Sequence, residues 1–233
     1  MLQVQSANSS IFVNATFSPP LFEWQGVAAR FFDMIHGALT PNITINPRDF
    51  SAYAGNNLGD VWARFNFFGG NSVVVLTAEK LSIEFPNIAP TEYEMALRLI
   101  GQIDASFPTK FSDRRYNAIQ IMVYEHAHIF SGSPPTEYMH RYSMQQVSNI
   151  SRDIGAVHVP SARFSLVGND GDWRASCMVE TSEYVPNALF LHFDISLLKL
   201  GVNDSFDSKF SRINRISEAC MAALHLERIS ASQ

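Results

Sequence analysis

The stretch "YNAIQIMVYEHAHIF", residues 116–130, decides how the rest of the chain is read. Ile119, Ile121, Val123, Ala127 and Ile129 recur at every second position, and alternate side chains of a strand share a face. That face belongs in a core, with Glu125 the exception on it. Gln120, Met122, Tyr124, His126 and His128 share the other face, which is amphipathic, as antiparallel sheets allow.

Toward the N-terminus, "TEYEMALRLIGQIDASF" (91–107) predicts a helix opened by a capping box, Thr91 three residues before Glu94. Its buried face is expected to hold Tyr93, Ala96, Leu97, Ile100, Ile103 and Phe107. "DVWARFNFFGGNSVVVLTAEKLSIEFP" (60–86) predicts a three-strand antiparallel meander, in which Val61, Ala63, Phe65 and Phe67 alternate with Trp62, Arg64, Asn66 and Phe68. Gly69-Gly70-Asn71 supplies positive-φ residues for one hairpin loop and Glu79-Lys80 makes a second turn. The glycine pair is not a phosphate cradle, because no Lys-Ser/Thr follows and no helix opens there. Earlier still, "IFVNATF" (11–17) has strand composition. "SPPLFEWQGVAARFFDMIHG" then reads as a helix capped by Ser18, with prolines in its first turn and Gly37 at its end. Trp24, Ala28, Phe31 and Ile35 form its apolar stripe.

Toward the C-terminus, residues 131–146 read as a loop and internal boundary. They divide an α+β half at 1–130 from another at 147–233, the two packed as one globular unit. "SARFSLVGNDGDWRASCMVE" (161–180) predicts a hairpin around Asn169-Asp170-Gly171, which lacks the oxygen-ligand spacing of a calcium loop. "ALFLHFDISL" (188–197) predicts a strand with Leu191, Phe193 and Ile195 inward and His192 and Asp194 outward. A long C-terminal helix follows, striped by Phe206, Phe210, Ile213, Cys220 and Leu224 and interrupted by Ser217. Antiparallel strands with helices on one face make an α+β fold. The first half follows a ferredoxin-like β-α-β-β-α-β plan, and the second reads as a degenerate echo of it.

With 46% hydrophobic and 17% charged residues, the chain has ample material for a large core and too little charge for disorder. The net charge of -5 and basic residues that gather only as pairs (Arg114-Arg115, Arg212 with Arg215) argue against a nucleic-acid partner. "MLQVQSANSSIFVN" has neither a charged nor an apolar leader region, and no apolar run is long enough for a spanning helix. The expectation is a cytoplasmic protein off the membrane, in which the sequons at Asn8, Asn14, Asn42, Asn149 and Asn203 are coincidental. Cys177 and Cys220 are too few for a disulfide framework and read as buried small residues.

The meander, the helix opening "TEYEMALRLI" and the strand "FSDRRYNAIQI" together resemble a sporadically distributed family of uncharacterised bacterial proteins. Arg115, Tyr116, Asn117 and Ile119 fill that family's Arg-Tyr-Asn-Ile pattern, and "LFLHFDIS" with a helix containing His225 resembles its C-terminal end. The resemblance spans residues 60–230. The family's Pro-Pro-(Ile/Leu)-x-Glu opening is matched by Pro19, Pro20, Leu21 and Glu23, here behind an additional strand. The family brings no established catalytic residues, so the resemblance implies an accessory or interaction role by analogy.

Walker loops, dinucleotide fingerprints, nucleophile elbows, His-Glu-x-x-His and Cys-x-x-Cys are all missing from the sequence. One constellation stands out. If the strands at 116–130 and 188–197 were neighbours in suitable register, His126, His128, His192 and Asp194 would converge in a set suited to zinc. The sequence does not show that adjacency, and the expectation is a polar strand face with no metal or other cofactor. The leading expectation is a non-catalytic binding or assembly protein that self-associates or takes a protein partner. Tyr138, Met139, Arg141 and Tyr142 in the aromatic-rich loop are its candidate interaction residues. The alternatives are a metal-dependent hydrolase using the histidines and a single-strand RNA binder or nuclease on a ferredoxin-like sheet.

Overall fold

The structure, a computed structural model, describes residues 1–22, 24–139, 161–201 and 204–229. Its centre is β1 (Leu2–Ser18), a strand of 17 residues. Helix α1 (Trp24–Leu39) follows, then β2 (Phe50–Tyr53), β3 (Trp62–Phe67), β4 (Ser72–Thr77) and β5 (Lys80–Ile88). Helix α2 (Tyr93–Lys110) leads into β6 (Arg115–Ile129), which is followed by β7 (Ser161–Val167), β8 (Trp173–Thr181) and β9 (Ala188–Leu197). Helix α3 (Phe206–Ala223) and the short β10 (Leu226–Arg228) close the order. The strands form one 10-stranded sheet in the order β2-β3-β4-β5-β1-β6-β9-β8-β7, with β10 pairing β1. All pairings are antiparallel except that of β10, which runs parallel to the first residues of β1.

Residues paired directly across a ladder share a face. One such row runs Phe65–Val74–Ile83–Val13–Ile121–Ile195–Ala175 across β3, β4, β5, β1, β6, β9 and β8. Every member is buried. Helices α1, α2 and α3 all cover this face. Phe32 of α1 packs its ring on Phe50, which stacks on Phe65. Phe107 of α2 meets Phe17 of β1, and Cys220 of α3 meets Cys177 of β8 with the sulfurs 2.8 Å apart. Both thiols are free, and the hydrogen bond to Cys220, reinforced by burial, pushes the Cys177 thiol up, away from thiolate. Among the described residues, no helix is long and apolar enough to cross a membrane.

The expected meander forms, and its first loop needs left-handed backbone at Gly69 (φ 67) and Gly70 (φ 89). The third left-handed residue is Phe68, not Asn71, which is right-handed. Several expected boundaries move. Ser18 does not cap α1: it is still paired with Arg115 in the sheet, and Leu21 N–H donates to the Ala78 carbonyl at 2.7 Å, holding the linker down. The helix runs past Gly37 because Leu39 is buried, which outweighs the roughly 1 kcal/mol cost of an interior glycine. At α2, Glu92 rather than Glu94 reaches back, accepting from Ala89 N–H at 3.2 Å across a tight turn at Pro90–Glu92. Thr91 therefore lies inside that turn. Four strands, not two, separate α1 from α2, so the simple β-α-β-β-α-β succession is expanded.

Two charged pairs lie inside the helix layer. Lys209 of α3 donates to both carboxylate oxygens of Asp104 of α2, at 3.1 and 2.9 Å. Glu125, the one acid on the core face of β6, accepts from Arg228 Nε at 2.9 Å and lies 2.8 Å from its second guanidinium nitrogen. The short strand β10 exists in a place that delivers that arginine, whose guanidinium also sits over the Phe193 ring at 5.2 Å. Replacing Arg228 with Met is expected to destabilise the fold by about 3 kcal/mol, because it leaves Glu125 charged and buried. Chemical denaturation measures this, and the double variant Glu125→Met with Arg228→Met should recover most of the loss.

Candidate functional site

The helices cover one face of the sheet, and among the described residues no regular element lies on the other. On β6 that face carries Gln120, Met122, Tyr124 and His126, all half-buried, with His128 exposed at the end. The neighbouring strand β9 adds Phe190, His192 and Asp194, and β1 adds Phe12 and Asn14. The face is aromatic at its middle. Tyr124 stacks on His192 at 4.4 Å between ring centroids and on Phe190 at 6.0 Å, and Phe12 meets it edge-on at 5.4 Å. His126 packs on Phe190 at 5.1 Å and takes the edge of the exposed Tyr184 at 6.1 Å. Lateral hydrogen bonds tie the polar members to the sheet: Gln120 Nε2 to Asp194 at 2.8 Å and Ser82 to Asn14 at 2.8 Å.

The two strands carrying the histidines are indeed neighbours, yet the register keeps the four candidates apart. His192 stands opposite Tyr124, Asp194 opposite Met122, His126 opposite Phe190 and His128 opposite Ala188. His126 and His192 are thus diagonal neighbours, with backbones about 7–8 Å apart. Each candidate is turned to a different partner. Asp194 receives Gln120, His128 Nδ1 lies 3.3 Å from the Asn187 carbonyl, and His126 Nδ1 lies 2.8 Å from Ser182 Oγ. Among the described residues, no group of three His, Cys, Asp or Glu side chains gathers closely enough to hold a metal ion.

Ser182 carries no signal in the sequence, and its chemistry follows from hydrogen-bond counting. Its oxygen accepts the Tyr184 and Val185 N–H groups at 3.2 and 2.8 Å, which uses both lone pairs. The hydroxyl proton is left to donate to His126 Nδ1, so the ring proton sits on Nε2. Ser182 therefore caps a turn and at the same time orients the His126 ring. Burial pushes both His126 and His192 below the ordinary histidine range, in His192 against the pull of Asp194. His192 Nε2 is buried without a hydrogen-bond partner. His126 and His192 therefore present neutral imidazoles near pH 7.

The candidate interaction residues divide. Tyr138 and Met139 are buried in this chain's own core, and Tyr138 Oη donates to the Leu224 carbonyl beyond α3 at 2.7 Å. Tyr138 thus pins the segment to the end of α3, and neither residue offers outward surface. Arg141 and Tyr142 lie outside the described residues. The surface that sequence reasoning passed over is β7. Leu166 and Val167 are exposed large apolar residues there, and no strand among the described residues pairs with its outer edge.

No protein-family model matches the chain, and no curated protein is found similar to it. Among solved structures it is similar to a duplicated taurocyamine kinase from Schistosoma mansoni, at 11% identity and a TM-score of 0.31 over 91% of this chain and 32% of that one. The chain thus spans about a third of the kinase's length, 32%. A nonspecific heme-binding cyclase of neoabyssomicin biosynthesis is similar at 9% identity and a TM-score of 0.18, over 94% of this chain and 78% of that one. Overlaps this loose carry no argument about fold or function.

A histidine whose folded pKa lies below its unfolded value takes up its proton first in the unfolded chain. Stability is then full above the unfolded value of 6.5 and falls as pH drops through it. Urea unfolding is expected to show this decline between neutral pH and mildly acidic pH. His192→Phe, which keeps a ring on Tyr124, should flatten the slope, and an unchanged slope would remove His192 from the account.

Proposed function

We propose that this protein is a non-catalytic assembly subunit that pairs with a second copy of itself along β7. The observation that supports this most is the character of that edge. Solitary edge strands are ordinarily blunted by lysines, prolines, bulges or shortness, since unpaired backbone groups recruit other strands. β7, "SARFSLV", carries a single charge at Arg163, no proline, and an unbroken register with β8 over all seven residues. The opposite edge strand, β2, is only 4 residues long. Antiparallel pairing of two β7 strands about a two-fold axis is self-complementary and closes the assembly at a dimer. It would also join the two aromatic faces into one continuous surface.

The same reading takes β4, β5, β1 and β6 with α1 and α2 as an expanded ferredoxin-like core, because β1 lies between the two strands that α2 connects. Strands β7 to β9 with α3 form its looser echo on the other side of β6. An accessory role agrees with what the family resemblance implies. The net charge of -5 supports a protein partner over nucleic acid, and two free buried thiols suit the cytoplasm.

Light scattering after size exclusion is expected to give twice the chain mass at micromolar concentration. Ser165→Lys with Val167→Lys, both at exposed positions, should return the protein to a monomer that still unfolds cooperatively. A strict monomer before substitution, or a dimer indifferent to it, would overturn the reading.

A further inference from the structure

On the helix side of the sheet, away from β7 and the aromatic face, α2 and α3 enclose a cavity of about 990 Å³ with the first residues of β6. That volume is at the upper end of what small-molecule sites occupy. Leu97, Phe107, Pro108, Leu200, Phe206 and Phe210 supply apolar wall.

The polar groups in this wall are unequal in kind. Its buried carboxylate, Asp104, is saturated, with both oxygens taken by Lys209. Among its buried atoms, what is left unpaired is donors; Glu94, Asp204 and Asp207 line the more open part, with Asp204 accepting from Gly201 N–H. The Tyr116 hydroxyl and the Arg114 Nε–H are both buried with no hydrogen-bond partner. The Tyr116 ring is fixed between Phe107, stacked at 5.0 Å, and Lys209 Nζ, 5.0 Å over its face. Burial foremost, with Asp104 nearby, raises its phenol well above the ordinary tyrosine value, so the group remains a donor. Of the terminal nitrogens of Arg114, Nη1 donates to the Asp113 carboxylate and carbonyl, which leaves Nε free to point elsewhere. At the rim, Arg98 and Arg115 form no ion pair among the described residues.

Orphaned buried donors are rare because they forfeit their hydration, and a pair in one cavity wall calls for an acceptor. Buried donors of this kind suit a carboxylate as the acceptor, Arg98 and Arg115 offset the acids at the rim, and the phenyl-rich wall receives an apolar body. We infer that the α2–α3 cavity is a binding site for a small monocarboxylate with an aliphatic or aromatic tail. Reaching the Tyr116 hydroxyl takes a local rotation of the side chains around it, so binding is accompanied by a small adjustment at Lys209 and Arg114.

Saturation-transfer NMR on the full chain tests this with phenylacetate and octanoate as probes and phenylacetamide and phenylphosphonate as comparators. Transfer to at least one of the two acids, stronger than to either comparator, is the expected result. Tyr116→Phe, which removes only the orphan hydroxyl, should weaken that acid about tenfold. Ala105→Trp, at an exposed position in the cavity wall, should block it while the circular dichroism melt is kept. No transfer to either acid at millimolar concentration overturns the inference. So does amide or phosphonate binding as strong as the acid's, or an acid that binds both variants as it binds the parent.

Discussion

Because β1 pairs with β6 from Val4 against Ile129 to Ser18 against Arg115, the register of that one seam decides which residues of every other strand meet the helices. A slip of one residue would turn Ile121 outward and drive Tyr124 and His126 under α2 and α3, since side chains alternate with a period of two. The seam is held against such a slip in three ways. Breaks in register between Ser6 and Asn8 and between Thr16 and Phe17 match only one alignment of the two strands. The apolar row through Val13 and Ile121 is buried along its whole course. Glu125 adds a chemical lock, for in the correct register it meets Arg228, and in the wrong one it would be stranded.

The two buried ion pairs illustrate what such groups contribute. Desolvating Asp104 and Lys209, or Glu125 and most of Arg228, costs about as much as their attraction returns, so neither pair is a large net source of stability. Their value lies in position. One joins α2 to α3, and the other joins β6 to β10, so both tie together elements that apolar contacts alone would let slide. The burial of Asp104 pushes its carboxyl up despite the opposing pull of Lys209.

Legibility in the sequence followed the strength of each local signal. Strict alternation made β6 and β9 readable, including the sides to which Glu125, His126 and His192 point, and turn glycines made the meander and the β7–β8 hairpin readable. The first residues of β1, "LQVQSANSS", alternate only at Leu2 and Val4, and the rest pair their backbone with β6 while their side chains are largely small and polar. Strands β2 and β10 are too short to show a period. The entry to α1 was misplaced because Ser18-Pro19-Pro20 reads as a cap and first turn, while tertiary pairing holds Ser18 in the sheet. For the histidine face, the sequence offered side but not register. Adjacency of β6 and β9 is real, and the offset that places Tyr124 opposite His192 is a property of the whole sheet. Ser182 and the β7 edge were invisible because a turn-capping hydroxyl and an unpaired edge depend on neighbours, not on residue type.

The central position of β1 also orders events in time. Synthesised before all of its partners, it must wait for residues 80–88, 115–129 and 226–228 before its neighbours exist. Every stabilising ladder it joins closes a long loop, so the chain belongs among slow-folding, high contact-order topologies. Until β6 arrives, Ile11, Val13, Ala15 and Phe17 are an apolar strand face without cover, the kind of surface that chaperones hold. The polar start of the same strand, poor in apolar alternation, then has a second effect: it keeps half of that waiting segment soluble.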